Sequence, residues 1–191
     1  MKKVLLILVI AFLALVSLKV EAQNAGAPEV MKGKVLWCGG IGFPYYSFKN
    51  NSFYFGLFPQ VGYRLTRSLE VGTRLGYQYQ HQKVNNIFYS ASATAHYFSG
   101  ALYANYEFFR GLYVHVEDEE MRALYRGNGV ILPPSSWYNN FFVGGGYRYY
   151  FSETGFVFFN LLYNLSWDKM SGNPYTSPLR FSVGFYKGLK E

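Results

Sequence analysis

Apolar and polar residues alternate along most of this chain, and the longest alternation lies between Phe141 and Trp167. From residue 141 to 151, the odd positions are apolar or aromatic with one glycine, and the even positions are mixed. Ser152-Glu153-Thr154 then gives a turn signal, after which the odd positions from 157 to 167 are again apolar. Successive strand residues point to opposite faces, so this pattern predicts a hairpin of two long strands.

The same alternation predicts six further strands elsewhere in the chain. The eight predicted strands are 34–43, 53–65, 69–80, 97–108, 112–118, 141–151, 157–167 and 178–187. The upper limit of the fifth strand is open, because residues 119–126 suit either a longer strand or a short helical turn.

The predicted connections alternate in length. Those after odd strands are long (44–52, 81–96, 119–138 and 168–177), and those after even strands are short (66–68, 109–111 and 152–154). An even number of antiparallel strands with long loops on one side and tight turns on the other is typical of an outer-membrane barrel. We therefore predict an all-β fold, an eight-stranded antiparallel up-and-down transmembrane β-barrel over residues 34–187. Its long loops would face outside, and both termini would face the periplasm.

The apolar face of each strand is predicted to contact lipid, with aromatic side chains near both ends of the strands. Tyr63, Phe108, Tyr149 and Phe151 would form one girdle, and Tyr77, Tyr79 and Trp167 the other. Trp and Tyr are enriched at both membrane–water interfaces. The pattern thus predicts a lipid-facing band with an aromatic border on each side.

Composition agrees with a barrel in a membrane. Of 191 residues, 50% are hydrophobic and 21% aromatic, while only 15% are charged, against about 25% in soluble domains. Residues 1–22 read as a signal peptide, with Lys2 and Lys3 before an apolar run at 4–16. Residues 23–33 are a flexible lead-in, and 188–191 a tail. The net charge of +7 comes without a basic run, so we expect no nucleic-acid partner.

This pattern resembles the small eight-stranded outer-membrane barrels of the OmpA/OmpX type, in a Bacteroidetes-like version. The resemblance covers residues 34–187 and rests on pattern, without a diagnostic motif. It implies a location in the outer membrane of a Gram-negative bacterium, contact with outer-membrane lipids and lipopolysaccharide, and insertion by the barrel-assembly machinery. Such barrels commonly finish on an aromatic residue, whereas here residues 187–191 follow Phe185-Tyr186.

Eight strands enclose an interior just wide enough for side chains to fill it. The inward face is predicted to carry a polar network of Arg64, Glu70, Arg74, Glu107, His115, Glu117, Arg148 and Arg180. Across the tight turns, Arg64 would lie opposite Glu70, Asn105 opposite His115, and Tyr103 opposite Glu117. Buried charges are tolerated when paired, so we interpret the set as ion pairs that fix the register. The alternative is a proton relay or a small polar pathway.

Some small barrels modify lipids, and the lipid A 3-O-deacylases resemble this chain in strand count. They use an outward His and Ser two residues apart. None of the three histidines, His81, His96 and His115, begins a His-x-Ser sequence. His96, with Ser90 and Ser99 nearby, is the nearest candidate. Otherwise His81 and His96 are interpreted as solvated loop residues. A serine nucleophile needs a base within hydrogen-bond reach. We therefore expect a non-enzymatic protein with a structural or binding role, with a lipid A deacylase- or acyltransferase-like enzyme and a lipocalin-like soluble carrier as alternatives.

The remaining candidate residues predict no cofactor. Cys38, the one cysteine, is interpreted as a small inward-facing filler. The acidic run Asp118–Glu120 is either a solvated strand end or a site for a divalent cation among lipopolysaccharide phosphates. Aromatic residues in the predicted loops are candidates for binding an unknown surface partner: Tyr45, Tyr46, Phe88, Tyr89, Trp137 and Tyr175.

Overall fold

The computed structural model describes residues 35–47, 52–85, 90–128, 136–153, 155–168, 175 and 177–187. Their eight strands are β1 (Val35–Ser47), β2 (Ser52–Arg64), β3 (Leu69–Asn85), β4 (Ser90–Phe109), β5 (Leu112–Asn128), β6 (Ser136–Ser152), β7 (Gly155–Asn164) and β8 (Leu179–Lys187). The predicted signal peptide, lead-in and tail lie outside these residues. No helix within the described ranges is long and apolar enough to cross a membrane.

The strands form a closed antiparallel barrel in sequence order, with β8 pairing with β1. The predicted eight-stranded up-and-down barrel is confirmed. We call the end with the connections 65–68, 110–111 and 153–154 the turn side, and the opposite end the loop side. Between β4 and β5, Arg110 and Gly111 both have positive φ, 34° and 87°, as a two-residue hairpin turn requires. A Cβ at Gly111 would overlap the Arg148 carbonyl oxygen.

The tight turns set the register predicted from the sequence. Arg64 pairs with Glu70, Asn105 with His115, and Tyr103 with Glu117. Next to the β4–β5 turn the register shifts by one residue, because an irregularity after Glu107 brings Phe109 opposite Leu112.

Several predicted strand ends are wrong. Residues 81–96 and 119–138 were expected to be connections, but β3 reaches Asn85, β4 begins at Ser90, β5 reaches Asn128 and β6 begins at Ser136. The strand alternative for residues 119–126 is thus confirmed. The ladder from Leu69↔Tyr106 to Asn85↔Ser90 pairs these polar segments, and backbone pairing does not depend on which side chains are polar.

Two other ends also differ from prediction. β1 extends to Ser47, into the predicted 44–52 loop. β7 ends at Asn164, three residues before the predicted end at Trp167. The Asn164 side chain accepts a hydrogen bond from the Ser166 amide (2.9 Å), and the Trp167 amide bonds the Asn164 carbonyl (3.3 Å). This local side-chain contact replaces the ladder with a turn.

The barrel wall separates an apolar outer face from a polar lumen. Every strand exposes large apolar side chains outward, among them Trp37, Leu57, Leu75, Leu102, Val114, Tyr149, Leu161 and Phe185. Leu102 and Trp37 are 70% and 64% exposed. The lumen buries aromatic rings together with most of the charged residues of the strands. Cys38 lies there too, buried against Phe156 and Phe158.

Candidate functional site in the barrel lumen

The first lumen cluster, which we call the turn-side cluster, contains Arg64, Glu70, Glu107 and Arg148, all buried. Arg148 bridges both carboxylates, with Nη2 2.6 Å from Glu70 Oε2 and Nη1 3.4 Å from Glu107 Oε2. Arg64 approaches the same two groups at 3.7 and 3.6 Å. Two positive and two negative charges therefore balance within the cluster.

Polar neighbours complete the hydrogen bonding of the turn-side carboxylates. Tyr103 donates to Glu70 Oε1 (3.0 Å), and Tyr150 donates to Glu107 Oε2 (2.7 Å). Glu107 Oε1 accepts the amide of Gly111 (3.0 Å), which ties the cluster to the β4–β5 turn. Buried ion pairs are tolerated when such additional bonds satisfy the remaining oxygens.

The second cluster, the loop-side cluster, contains Arg74, Glu117, Glu119 and Arg180. Arg74 Nη2 lies 2.5 Å from Glu117 Oε1 and 2.7 Å from Glu119 Oε1. Arg180 Nη2 lies 2.8 Å from both Glu117 oxygens. These side chains come from β3, β5 and β8, so the cluster joins distant parts of the wall, and its formal charges also balance.

His115 connects the two clusters. Its Nδ1 lies 2.6 Å from Asn105 Oδ1, and its Nε2 lies 3.2 Å from Glu117 Oε2. Asn105 in turn donates to Glu70 (3.3 Å). A continuous line of polar contacts therefore runs along the lumen from Glu70 to Glu117.

Sequence reasoning missed Glu119 as a lumen residue. The acidic run Asp118–Glu120 was expected to be a solvated strand end or a cation site, but Glu119 is fully buried beside Arg74. Asp118 and Glu120 point outward and accept hydrogen bonds from Asn139 (2.9 and 3.0 Å). Extending the alternation His115–Glu117 by one more pair of residues would have found Glu119.

Tyr175 was predicted to be a surface aromatic, but it folds over the lumen. Its ring packs edge-on against Phe142, with centroids 5.4 Å apart, and its hydroxyl donates to Glu119 Oε2 (2.9 Å). Burial raises the pKa of the Tyr175 hydroxyl, and Glu119 adds to the shift, so Tyr175 remains a donor. Trp137 is 66% exposed on β6. The Phe88 and Tyr89 candidates lie outside the described residues, as do the side chains of Tyr45 and Tyr46.

The interpretation of His81 and His96 as loop residues is wrong, because both lie in strands. His81 contacts Thr94 (3.0 Å) and His96 contacts the Tyr77 hydroxyl (3.0 Å). His96 lies on the outer face of β4, three residues from the inward-facing Ser99. The two side chains therefore lie on opposite faces of the wall.

A cavity of about 310 Å³ borders the loop-side cluster. Its lining includes Phe58, Arg74, His115, Glu117, Phe158 and Arg180. The cavity that borders the turn-side cluster, by contrast, measures about 10 Å³. The lumen thus has one filled half and one half with room for a ligand.

Comparison with known proteins adds no assignment. No family model matches the sequence, and no curated protein is significantly similar to it. In the described part of the chain, no group of three or more His, Cys, Asp or Glu side chains is arranged to hold a metal ion. The functional interpretation therefore depends on the barrel wall and the lumen.

Proposed function

We propose that this chain is an integral outer-membrane β-barrel protein of a Gram-negative bacterium. Its role is non-enzymatic, either structural or in binding through the surface loops at the loop side. The observation that carries this proposal is the distribution of side chains across the wall, with apolar residues outside and paired charges inside.

The outer face supports a lipid environment. Contiguous exposed apolar surface of this extent is rare on monomeric soluble proteins, whereas a membrane barrel needs an apolar band around its whole circumference. A lipocalin-like soluble carrier would require the reverse arrangement, with apolar side chains toward its ligand and polar ones toward water. Near the turn side, Tyr63, Tyr149 and Phe151 are 44%, 59% and 55% exposed, which suits an interfacial girdle.

The loop-side extension of the wall supports contact with lipopolysaccharide. On the outer face of β5 and β6, the guanidinium of Arg122 lies 5.6 Å from the centre of the Trp137 ring. A cation held on an exposed aromatic ring suits a surface of lipid head groups and phosphates. Outer-membrane lipids and the barrel-assembly machinery are the partners that this proposal requires, and a further surface partner would bind at the loop side.

Extraction behaviour tests the proposal. The full chain, expressed in a Gram-negative host, should fractionate with the outer membrane and require detergent for release. Its unheated form should migrate differently from its boiled form in gel electrophoresis, because a closed barrel resists unfolding by detergent. Recovery as a folded monomer in buffer without detergent would contradict the proposal and favour the soluble carrier.

A further inference from the structure

The barrel closes with an incomplete ladder between β1 and β8. This ladder has four described register pairs, from Cys38↔Tyr186 to Ile41↔Val183. By comparison, β3 is paired with β4 along its whole length of 17 residues. Towards the loop side, both strands continue past Ile41 and Val183, yet no further pairs between them are found in the described residues. We call this stretch the seam.

The sequence explains why the ladder stops there. Pro44 follows shortly after Ile41 in β1, and proline has no amide hydrogen to donate to a neighbouring strand. The pairing of β1 with β2 is also irregular between Gly42 and Tyr45. Leu179–Ser182 of β8 remain paired with β7 on their other edge, so the gap is confined to the β1 side.

The lumen cavity extends to the seam. Its lining includes Phe181 and Ser182, which form the β8 margin of the gap, and Gly40, which lies in the paired part of β1 just before the gap begins. The side chains of Leu179 and Phe181 are each 57% exposed on the outer face. In a membrane, the gap would therefore lie beside apolar side chains and face hydrocarbon rather than water.

The interior of the cavity offers apolar rings and a weakly paired guanidinium N–H. Phe58 and Phe158 contribute the rings. The Nη1 atom of Arg180 is buried, with no hydrogen-bond partner in the described residues, and its distance to Glu119 Oε1 is 4.0 Å. An unsatisfied buried donor is costly, so a ligand oxygen at this position would be stabilising.

The charge balance of the loop-side cluster indicates whether the ligand oxygen is charged or neutral. Arg74 and Arg180 already balance Glu117 and Glu119, so a carboxylate or phosphate would bring an uncompensated charge into a buried site. A neutral acceptor such as an ester carbonyl or an alcohol avoids that cost. At about 30 Å³ for each water-sized group, a cavity of about 310 Å³ holds roughly ten such groups.

We propose that the cavity binds a single linear alkyl or acyl chain of about ten carbons, entering sideways through the seam. The chain would pack against the rings of Phe58 and Phe158, and its uncharged oxygen would accept a hydrogen bond from Arg180. The inference rests on the proposed function, because sideways entry requires lipid around the barrel. The free amphiphile and the chain of a membrane phospholipid share this chemistry.

Tryptophan quenching tests the proposal on the full chain. Trp37, Trp137 and Trp167 are replaced by Phe, and Phe158→Trp places a single indole in the cavity. Phe58→Trp gives a second position if the first variant does not fold. The probe is a bromine-terminated linear alcohol of about ten carbons. We expect quenching to saturate at one probe per barrel, and unbrominated alcohol to reverse it.

Adjacent glycines provide a matched control. A Cβ at Gly40 would have its nearest contact at 3.5 Å, and a Cβ at Gly39 would have none within 4 Å, so both sites accept a side chain. Gly40→Leu places its bulk in the cavity and should weaken probe binding by at least about tenfold. Gly39→Leu lies on the outer face and should leave binding unchanged. Quenching that rises linearly with probe, equally in both variants, would overturn the proposal.

Changing the head group of the probe tests the neutral-acceptor assignment, and supplying the chain as a phospholipid tests the source of the ligand. The alcohol should bind about three- to tenfold more tightly than the bromoalkane without oxygen, and an alkyl sulfate should bind more weakly than the alcohol. Tighter binding of the sulfate would overturn the neutral-acceptor assignment. The second probe is a vesicle whose phospholipids carry bromine at the chain end. If a lipid chain occupies the cavity, these phospholipids should quench the cavity indole saturably. If the ligand is a free amphiphile, they should not.

A control residue on the outer face of the barrel distinguishes failure of this inference from failure of the proposed function. Leu161→Trp in the same background places its indole on the outer face, where chain-brominated phospholipid should quench it whether or not the cavity is filled. Absence of saturable quenching at Phe158→Trp, together with strong quenching at Leu161→Trp, overturns the cavity ligand alone. Weak quenching at Leu161→Trp would overturn the membrane location itself.

Discussion

The turn-side and loop-side clusters have the same charge composition but differ in packing. Each contains two arginines and two glutamates with balanced charges. The turn-side cluster leaves a free space of about 10 Å³, whereas the loop-side cluster borders about 310 Å³. The two halves of the lumen therefore differ in packing although their charge pairing is the same. Tyr103 and Tyr150 bond the carboxylates of the turn side, whereas the loop-side cavity extends to the end of the β1–β8 ladder.

The largest expected effect comes from removing an arginine from each cluster. Arg148→Met would leave Glu70 and Glu107 with Arg64 alone, at 3.7 and 3.6 Å, in a dry site, which should lower the free energy of unfolding by about 3–5 kcal/mol. Arg180→Met should cost roughly 1–2 kcal/mol, because Arg74 still bonds both Glu117 and Glu119 at 2.5 and 2.7 Å. Urea unfolding in lipid vesicles measures both. Equal losses would mean that the two halves are packed alike.

A smaller effect is expected from adding one methyl group to each half. A Cβ at Gly146 would overlap the Phe159 carbonyl oxygen and the Tyr113 ring, so Gly146→Ala should cost about 1–3 kcal/mol through overpacking. A Cβ at Gly40 meets its nearest atom at 3.5 Å, and Gly40→Ala should change stability by less than about 0.5 kcal/mol. The same urea titration compares the pair, and a reversed order would refute the contrast in packing.

The smallest expected effect is on ion conductance. The filled turn side should block the lumen even though the loop side has a cavity, because eight strands leave an interior that side chains fill. Planar-bilayer recordings of the purified protein should show no large stable pore. Steady conductance of about a nanosiemens, typical of a water-filled channel, would mean that the turn-side cluster does not close the lumen.

Much of the wall could be predicted from the sequence, because strand alternation is a local signal. The alternation at Phe141–Phe151 identified which residues face outward, and the tight turns fixed neighbours such as Arg64 and Glu70. The ends of β3–β6 could not be found in this way. Their polar residues read as loops, whereas backbone pairing continues through them.

Contacts across the lumen could not be predicted, because they depend on how the closed barrel brings distant strands together. Arg148 and Glu70 are 78 residues apart, and Arg180 and Glu117 are 63 residues apart. The seam was missed because Pro44 marked the start of a predicted loop, when it lies within β1. The interruption of the β1–β8 ladder near Pro44 becomes visible only in the closed barrel, where β8 lies beside β1.

The central claim is that the apolar face of the wall contacts lipid and the polar face lines the lumen. Leu161 is 57% exposed and Asn160, its neighbour in β7, is 8% exposed. Single-tryptophan variants Leu161→Trp and Asn160→Trp, with the native Trp residues removed, are reconstituted in phospholipid brominated at mid-chain. We expect strong quenching of the indole at position 161 and weak quenching of that at position 160. Equal quenching, or the reverse order, would contradict the account.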